Sequence, residues 1–216
     1  MVALQQTLNL DQYFERLTAT PSPILFLDYD GTLAPFVAKR DQAVPYPGVR
    51  ELLDRIIAET RTRIVIVTGR AIDDILPLLN MDPPAEIYGG HGWEHLRDGV
   101  RQDVELPAGA TVILDQAEQQ ILAINRQSSS ERKHASVTLH SRDVESAKAK
   151  ADEDMIAEKW GGLVEKNNDF ELHRFDGGIE LRLKGRNKGD AVDAVLAESP
   201  PHTLAAYLGD DLTDED

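Results

Sequence analysis

The 216-residue chain contains no cysteine, which removes disulfide bridges, thiol chemistry and thiolate metal sites together. It is also short of positive charge. Its 23 Lys and Arg stand against 38 Asp and Glu, a net charge of −15, so neither nucleic acid nor an anionic membrane is an expected partner. No apolar run approaches the roughly 20 residues of a membrane-spanning helix, and the N-terminus lacks a signal-peptide pattern, so a cytoplasmic location is expected. Internal repeats and low-complexity tracts are absent as well. What remains is a globular composition on a chain long enough for a core domain with a smaller insert. An anionic substrate would have to be met by local Lys, Arg or metal, against the overall field.

The chain is organised around residues 24–33. Ile24 to Leu27 form an unbroken apolar run, the pattern of a strand buried on both faces in a parallel sheet. Asp28, Asp30, Gly31 and Thr32 follow at once, which puts the acids at the strand's carboxyl end, where open α/β sheets bind ligands. Two carboxylates this close raise one another's pKa, and a divalent cation relieves the repulsion. Hard oxygen donors favour Mg²⁺, and the chemistry that suits the set is phosphoryl transfer. In it Asp28 attacks phosphorus, while Asp30 protonates the leaving alcohol and later activates water. The competing reading is that both acids cap a helix in an ordinary Asp-rich turn.

Residues 4–17 have a loose helical spacing that predicts a leader helix within residues 1–20, ended by Thr20-Pro21-Ser22-Pro23. Helices over 48–58 and from Ala71 to Leu79 flank a second buried strand, Ile64 to Val67, and Ile87-Tyr88 opens a third. This rhythm of strand and helix predicts a parallel sheet. From residue 95 the pattern changes. Helices over 112–125 and 143–160, with alternating strands at 137–140, 170–175 and 179–183, predict an antiparallel α+β insert spanning 95–184. Residues 1–94 and 185–216 then make the two parts of the core. Helical spacing returns at Lys188 to Leu196, and an apolar strand, Thr203 to Leu208, runs into Gly209-Asp210-Asp211. No further helix or strand follows that acidic turn, which reads as truncation.

Four stations now stand at or beside predicted strand ends: Asp28 with Asp30, Thr68, Lys188, and Asp210 with Asp211 and Asp214. Thr68 suits a hydrogen bond to a phosphoryl oxygen, Lys188 offsets charge on nucleophile and phosphate, and Asp210 completes a metal site that Asp214 would help to orient. Arg70 is either a first-turn helix residue or a contact to phosphate or sugar. Trp93 and Trp160 read as packing residues, and His91 as a turn histidine or a catalytic one.

The pattern resembles the haloacid dehalogenase superfamily, whose nucleophile motif is Asp-x-Asp-Gly-Thr, and within it the trehalose-6-phosphate phosphatase family. The closer match rests on residues 27–35, Val67-Thr68-Gly69-Arg70, Gly90-His91-Gly92-Trp93-Glu94, Asn187-Lys188-Gly189 and residues 208–216. The resemblance implies a Rossmann-like parallel-sheet core of α/β class with an inserted α+β cap, and hydrolysis of trehalose 6-phosphate through an aspartyl-phosphate. It implies Asp28 as nucleophile, Asp30 as acid and base, and Thr68 with Lys188 as the phosphate-binding pair. Mg²⁺ would be held by Asp28, the Asp30 carbonyl and Asp210. The insert corresponds to the cap, whose sugar contacts would come from Glu94, Lys133, His140, Arg142 and Glu180. Where the family commonly has His-Tyr-Arg, this chain has His140-Ser141-Arg142. A trehalose-6-phosphate synthase is a possible partner.

Two rival readings remain. One is a phosphatase of the same fold acting on sucrose 6-phosphate or a glycosyl-3-phosphoglycerate. The other is a non-catalytic regulatory domain, such as a receiver phosphorylated on Asp28, although a receiver has no use for an acid two residues further on.

Overall fold

A computed structural model describes residues 9–37, 39–142, 144–175, 177–210 and 214. Its first half runs α1 (Leu10–Ala19), β1 (Ile24–Leu27), α2 (Val49–Glu59), β2 (Arg63–Val67), α3 (Ile72–Leu79), β3 (Glu86–Gly89), β4 (Glu94–Arg97) and β5 (Val100–Arg101). The second half runs α4 (Ala110–Leu122), β6 (Ser130–Arg132), β7 (Ser136–His140), α5 (Ser146–Val164), β8 (Phe170–Phe175), β9 (Gly178–Leu183), α6 (Lys188–Ala197) and β10 (Ala205–Leu208).

Six strands form one sheet in the order β10-β1-β2-β3-β4-β5, parallel through β3 and antiparallel at the β4 and β5 edge. β2 shows why the strands read as apolar runs. Ile64 and Ile66 pack with Leu53 of α2 and Ile72 and Ile75 of α3, whereas Val65 and Val67 pack on the other face with Ala191 and Val195 of α6. With helices on both sides, neither alternate position reaches water. The architecture is therefore the expected α/β class with a parallel sheet.

The second sheet, β6-β7-β9-β8, is antiparallel throughout. Val137, Leu139, Ile179 and Leu181 on one face pack with Ala117 and Ile121 of α4 and Ile156 and Trp160 of α5. Trp160 Nε1 donates to the Ala117 carbonyl at 3.2 Å, so the indole joins the two helices while its ring fills the core. Trp93 belongs to the same apolar cluster, and Arg186 lies over its ring with the guanidinium carbon 6.0 Å from the centroid.

The boundary expected at residue 95 falls inside β4, and residues 94–101 stay in the six-stranded sheet. The cause is a tight hairpin. Asp98 and Gly99 both take positive φ, 51° and 74°, which turns β4 directly back into β5. Residues 1–8 of the expected leader helix lie outside the described residues. Among the described residues, no helix is long and apolar enough to cross a membrane.

At the end of the sheet away from Asp28, Arg63 Nε and Nη2 each donate to one oxygen of Glu86 at 2.8 Å, and His95 Nε2 lies 3.0 Å from Glu86 Oε1. Burial works against the Glu86 charge, but the hydrogen bonds from His95 and Arg63 outweigh it and pull its pKa from 4.5 down to about 2. A folded-state pKa below the unfolded value means stability that is present above pH 4.5 and lost as pH falls toward 2. Glu86→Gln is therefore expected to lose roughly 2–3 kcal/mol at pH 7, with the difference from wild type vanishing near pH 2. Denaturant titrations at several pH values measure it, and a pH-independent difference would reject the account.

Candidate active site

Asp28 leaves β1 at its carboxyl end, where its amide donates to the Leu208 carbonyl of β10 at 2.9 Å. The chain then folds tightly: Leu33 N and Ala34 N donate to the Tyr29 carbonyl at 2.9 and 3.0 Å, and Gly31 N donates to the Ala34 carbonyl at 2.8 Å. Gly31 takes φ +84°, and a Cβ on it would run into the Asp210 carboxylate. Glycine is thus needed at residue 31 both for the backbone and for the approach of the second acidic turn.

That approach brings the chemistry together. Lys188, in the first turn of α6, places Nζ 2.8 Å from Asp28 Oδ1 and 2.6 Å from Asp214 Oδ1. Asp214 also accepts from the Tyr207 hydroxyl at 2.7 Å and from Asp210 N at 3.1 Å. α6 starts there because Asn187 and Asp190 form a reciprocal capping box. Oxygens of Asp28, Asp210 and Asp214 lie within 4.8 Å of one another, a hard donor set of the kind that holds a divalent cation. Asp211 lies outside the described residues. Burial pushes Asp28 up to about 6 despite the Lys188 ammonium beside it, so the carboxylate is largely ionised at neutral pH. For Lys188, burial is outweighed by Asp28 and Asp214, and its pKa is raised.

Thr68 follows β2 and is buried. Its amide donates to the Tyr88 carbonyl at 2.9 Å, and its hydroxyl accepts from Arg70 N at 3.2 Å. The loop after β3 is tied to it, with His91 N donating to the Thr68 carbonyl at 3.0 Å. Gly69 lets the His91 ring sit close, since a Cβ there would stand 2.6 Å from Nε2. Burial pushes His91 down to about 4, so it is a neutral imidazole at the wall of the site.

Above these groups lies the polar face of the second sheet. Together they enclose a cleft of about 600 Å³, with Asp28, Asp30, Thr68, Arg70 and Lys188 on one side and Lys133, Thr138, His140, Arg142, Glu180 and Arg182 on the other. Glu180 ties several groups of that roof together. Its Oε1 accepts from Ser136 Oγ at 2.8 Å, Thr138 Oγ1 at 3.2 Å and Lys133 Nζ at 3.3 Å. Burial opposes its charge, but Lys133, His91 and the Ser136 hydroxyl prevail and pull it down to about 2. His140 is pushed down to about 4 by burial and by the Arg40 and Lys133 charges. Ser141 is buried and gives its hydroxyl to Glu153.

Two sequence expectations meet a different placement. Glu94 does not line the cleft. It is 1% exposed on β4, where Oε2 accepts from Ile72 N at 2.7 Å and pairs with Arg101 at 3.1 Å. α3 has no side-chain cap of its own, and Glu94 supplies the missing acceptor at its N-terminus. Arg70 faces the cleft, but its Nε and Nη2 each donate to one oxygen of Asp30 at 2.7 Å. Arg40 was not singled out from the sequence. Its Nη1 lies 3.2 Å from His140 Nε2 and pairs with Glu131, joining the loop after β1 to the second sheet. Its neighbours in sequence carry no motif, so only the folded cleft reveals it.

The family model described as trehalose-phosphatase matches residues 26–216. A trehalose-phosphate phosphatase of Mycobacterium leprae (strain TN) is 30% identical over 98% of this chain and 49% of its own length. The chain spans about half the length of the curated relatives it matches. A solved trehalose-6-phosphate phosphatase related protein is 27% identical, with a TM-score of 0.65 over 89% of this chain and 80% of that one. The C-terminal domain of the C. albicans trehalose-6-phosphate phosphatase shares the fold, with a TM-score of 0.75 over 96% of this chain and 76% of that one at 24% identity.

Proposed function

The chain belongs to the trehalose-phosphatase family, and on that premise we propose that it hydrolyses trehalose 6-phosphate to trehalose and phosphate, with Asp28 as the nucleophile. One observation carries the reading: the ammonium of Lys188 bridges Asp28 and Asp214 inside a three-carboxylate cluster, and Lys188 and Asp28 line a cleft roofed by polar side chains. A turn of acids capping a helix has no need of a buried lysine between two of them, which weighs against the bland alternative.

In the first half-reaction a bond forms from an Asp28 oxygen to phosphorus and the bond from phosphorus to the sugar oxygen breaks. Asp30 gives its proton to that oxygen. In the second, Asp30 takes a proton from water as the water oxygen bonds to phosphorus and the Asp28 oxygen leaves. Lys188 offsets charge on Asp28 and on the phosphoryl oxygens, and Thr68, which lines the same cleft, is assigned to hydrogen-bond the phosphoryl group. The donor set fits Mg²⁺: Asp28, Asp210 and the Asp30 carbonyl would hold it, with Asp214 beside them, and when bound it supplies charge neutralisation on the transferring group.

The second sheet with α4 and α5 acts as the cap. Glu180, Lys133, His140 and Arg142 line its face of the cleft and are assigned to sugar hydroxyls and phosphate. Glu94 is assigned instead to holding α3. A volume of about 600 Å³ lies within the range of small-molecule sites.

Phosphate release is expected to be faster from trehalose 6-phosphate than from sucrose 6-phosphate or hexose monophosphates, and to stop in EDTA. A flat substrate panel would reject the sugar assignment, and undiminished release in EDTA the metal. Asp30→Asn is expected to lower turnover by about 10²- to 10⁴-fold with Mg²⁺ binding retained, because the metal contact assigned there is the backbone carbonyl.

A further inference from the structure

Arg70 is held on every side by the protein. Beyond its two hydrogen bonds to Asp30 at 2.7 Å, Nη1 donates to the Arg40 carbonyl at 2.9 Å, and the guanidinium carbon lies 5.4 Å from the centroid of the Tyr29 ring. Tyr29 is itself fixed, its hydroxyl donating to the Ala43 carbonyl at 2.6 Å. Arg70 is 4% exposed, so these contacts determine one orientation of the guanidinium plane. A two-pronged guanidinium grip fixes the carboxylate in that plane and takes one lone pair from each oxygen, leaving the outer lone pairs on a residue that lines the cleft.

We propose that Arg70 is a positioning residue for proton transfer, aiming the free edge of Asp30 at the oxygen that leaves phosphorus, and is not the substrate contact its place in the sequence suggests. The step is the one given above. The bond from the Asp28 oxygen to phosphorus forms, the bond from phosphorus to the leaving oxygen breaks, and the Asp30 proton passes to that oxygen. Aim matters only when the leaving oxygen needs the proton. A sugar alkoxide is a poor leaving group and requires it, while p-nitrophenolate leaves as the anion. Two esters of one phosphoryl group therefore separate aiming from phosphate binding.

The inference rests on Asp30 as the proton-transfer group, so Asp30→Asn is measured beside Arg70→Ala and Arg70→Lys in the full chain with Mg²⁺. For Arg70→Ala, first-turnover release of sugar from trehalose 6-phosphate is expected to fall about 10²-fold. The burst of p-nitrophenolate from p-nitrophenyl phosphate should change less than about threefold, and KM for the sugar ester less than about twofold. Arg70→Lys keeps a cation but offers no planar fork, and should lose about tenfold on the sugar ester alone. If the alanine variant fails to fold, the lysine variant carries the comparison. Equal losses on both esters with a raised KM, or an unchanged first turnover on the sugar ester, would overturn the proposal. Should Asp30→Asn discriminate between the esters while the Arg70 variants do not, only this inference fails. Should Asp30→Asn show no discrimination, the acid and base assignment of Asp30 fails with it.

Discussion

Asp28→Asn is expected to cut phosphate release by roughly 10⁴-fold or more while leaving the protein at least as stable as wild type. The first half follows from chemistry. The amide oxygen of asparagine is a poor nucleophile, and no other carboxylate of the cluster stands at the end of β1 with its amide anchored to the Leu208 carbonyl at 2.9 Å. The second half follows from the direction of the pKa. Burial holds Asp28 at about 6 in the folded protein against an ordinary value of 3.8, so the folded state pays for the ionised group at neutral pH. The sign is the reverse of a stabilising carboxylate: a raised folded-state pKa makes stability fall as pH rises from 3.8 through 6. An uncharged isostere escapes that loss, and Lys188 keeps Asp214 at 2.6 Å as its partner. Activity and stability should therefore move apart in this variant, as they do where a site is built at the expense of the fold. The checks are a phosphate-release assay, intact mass after a rapid acid quench, and a thermal melt. Wild type should gain one phosphoryl group in the quench and Asp28→Asn none. Residual turnover near the wild-type rate would end the nucleophile assignment, and a large drop in melting temperature would end the electrostatic one.

The sequence disclosed the parts of the molecule governed by local rules. Ile64 to Val67 read as a doubly buried strand because helices cover both its faces, and an apolar run has no other stable use in a soluble core. The tight turn after β1 was legible because the need for Gly31 and the spacing of Asp28 and Asp30 are properties of one short segment. The hairpin of β4 and β5 left a signal in Asp98-Gly99 between alternating residues, but its strands are short and follow a Gly-rich turn that reads as a boundary. β6, Ser-Glu-Arg, left none, because it has no apolar residue and joins β7 through backbone pairing and the polar contact of Glu131 with His140. The same limit applies to the site. Thr68, Lys188 and Asp210 sit next to strand ends and helix starts, so their position in sequence predicts their direction. Arg70, Glu94 and Arg40 depend on which element lies opposite, and that is a property of the closed cleft and the packed sheet edge.

Lys188→Met is expected to damage both the reaction and the fold, and the fold more than any other single change at the site. Lys188 is 5% exposed, and its ammonium is the one cation within hydrogen-bonding distance of both Asp28 and Asp214 among the described contacts. Without it, the side chains of Asp28 and Asp214, both little exposed, face each other with carboxylate oxygens within 4.8 Å and the exposed Asp210 beside them. At an effective dielectric constant near 20, two unit charges at that distance repel by about 3 kcal/mol, and removing one partner of a buried ion pair typically destabilises by about 3–5 kcal/mol. The two figures agree that a large share of a domain's net stability is at stake. Methionine fills much of the lysine's volume, so the loss would be electrostatic rather than a cavity effect. Two tests isolate that cause. Adding Asp28→Asn to Lys188→Met should recover much of the lost stability, giving a strong coupling in a double-mutant cycle. Mg²⁺ should raise the melting temperature of Lys188→Met more than that of wild type, because a cation among Asp28, Asp210 and Asp214 neutralises the same charges. Turnover should stay about 10³-fold down even in saturating Mg²⁺, since a cation among the carboxylates would not replace the ammonium that α6 fixes 2.8 Å from Asp28 Oδ1. A Lys188→Met protein with wild-type melting and no added response to Mg²⁺ would show that the ion-pair bridge is not what holds the carboxylate cluster together.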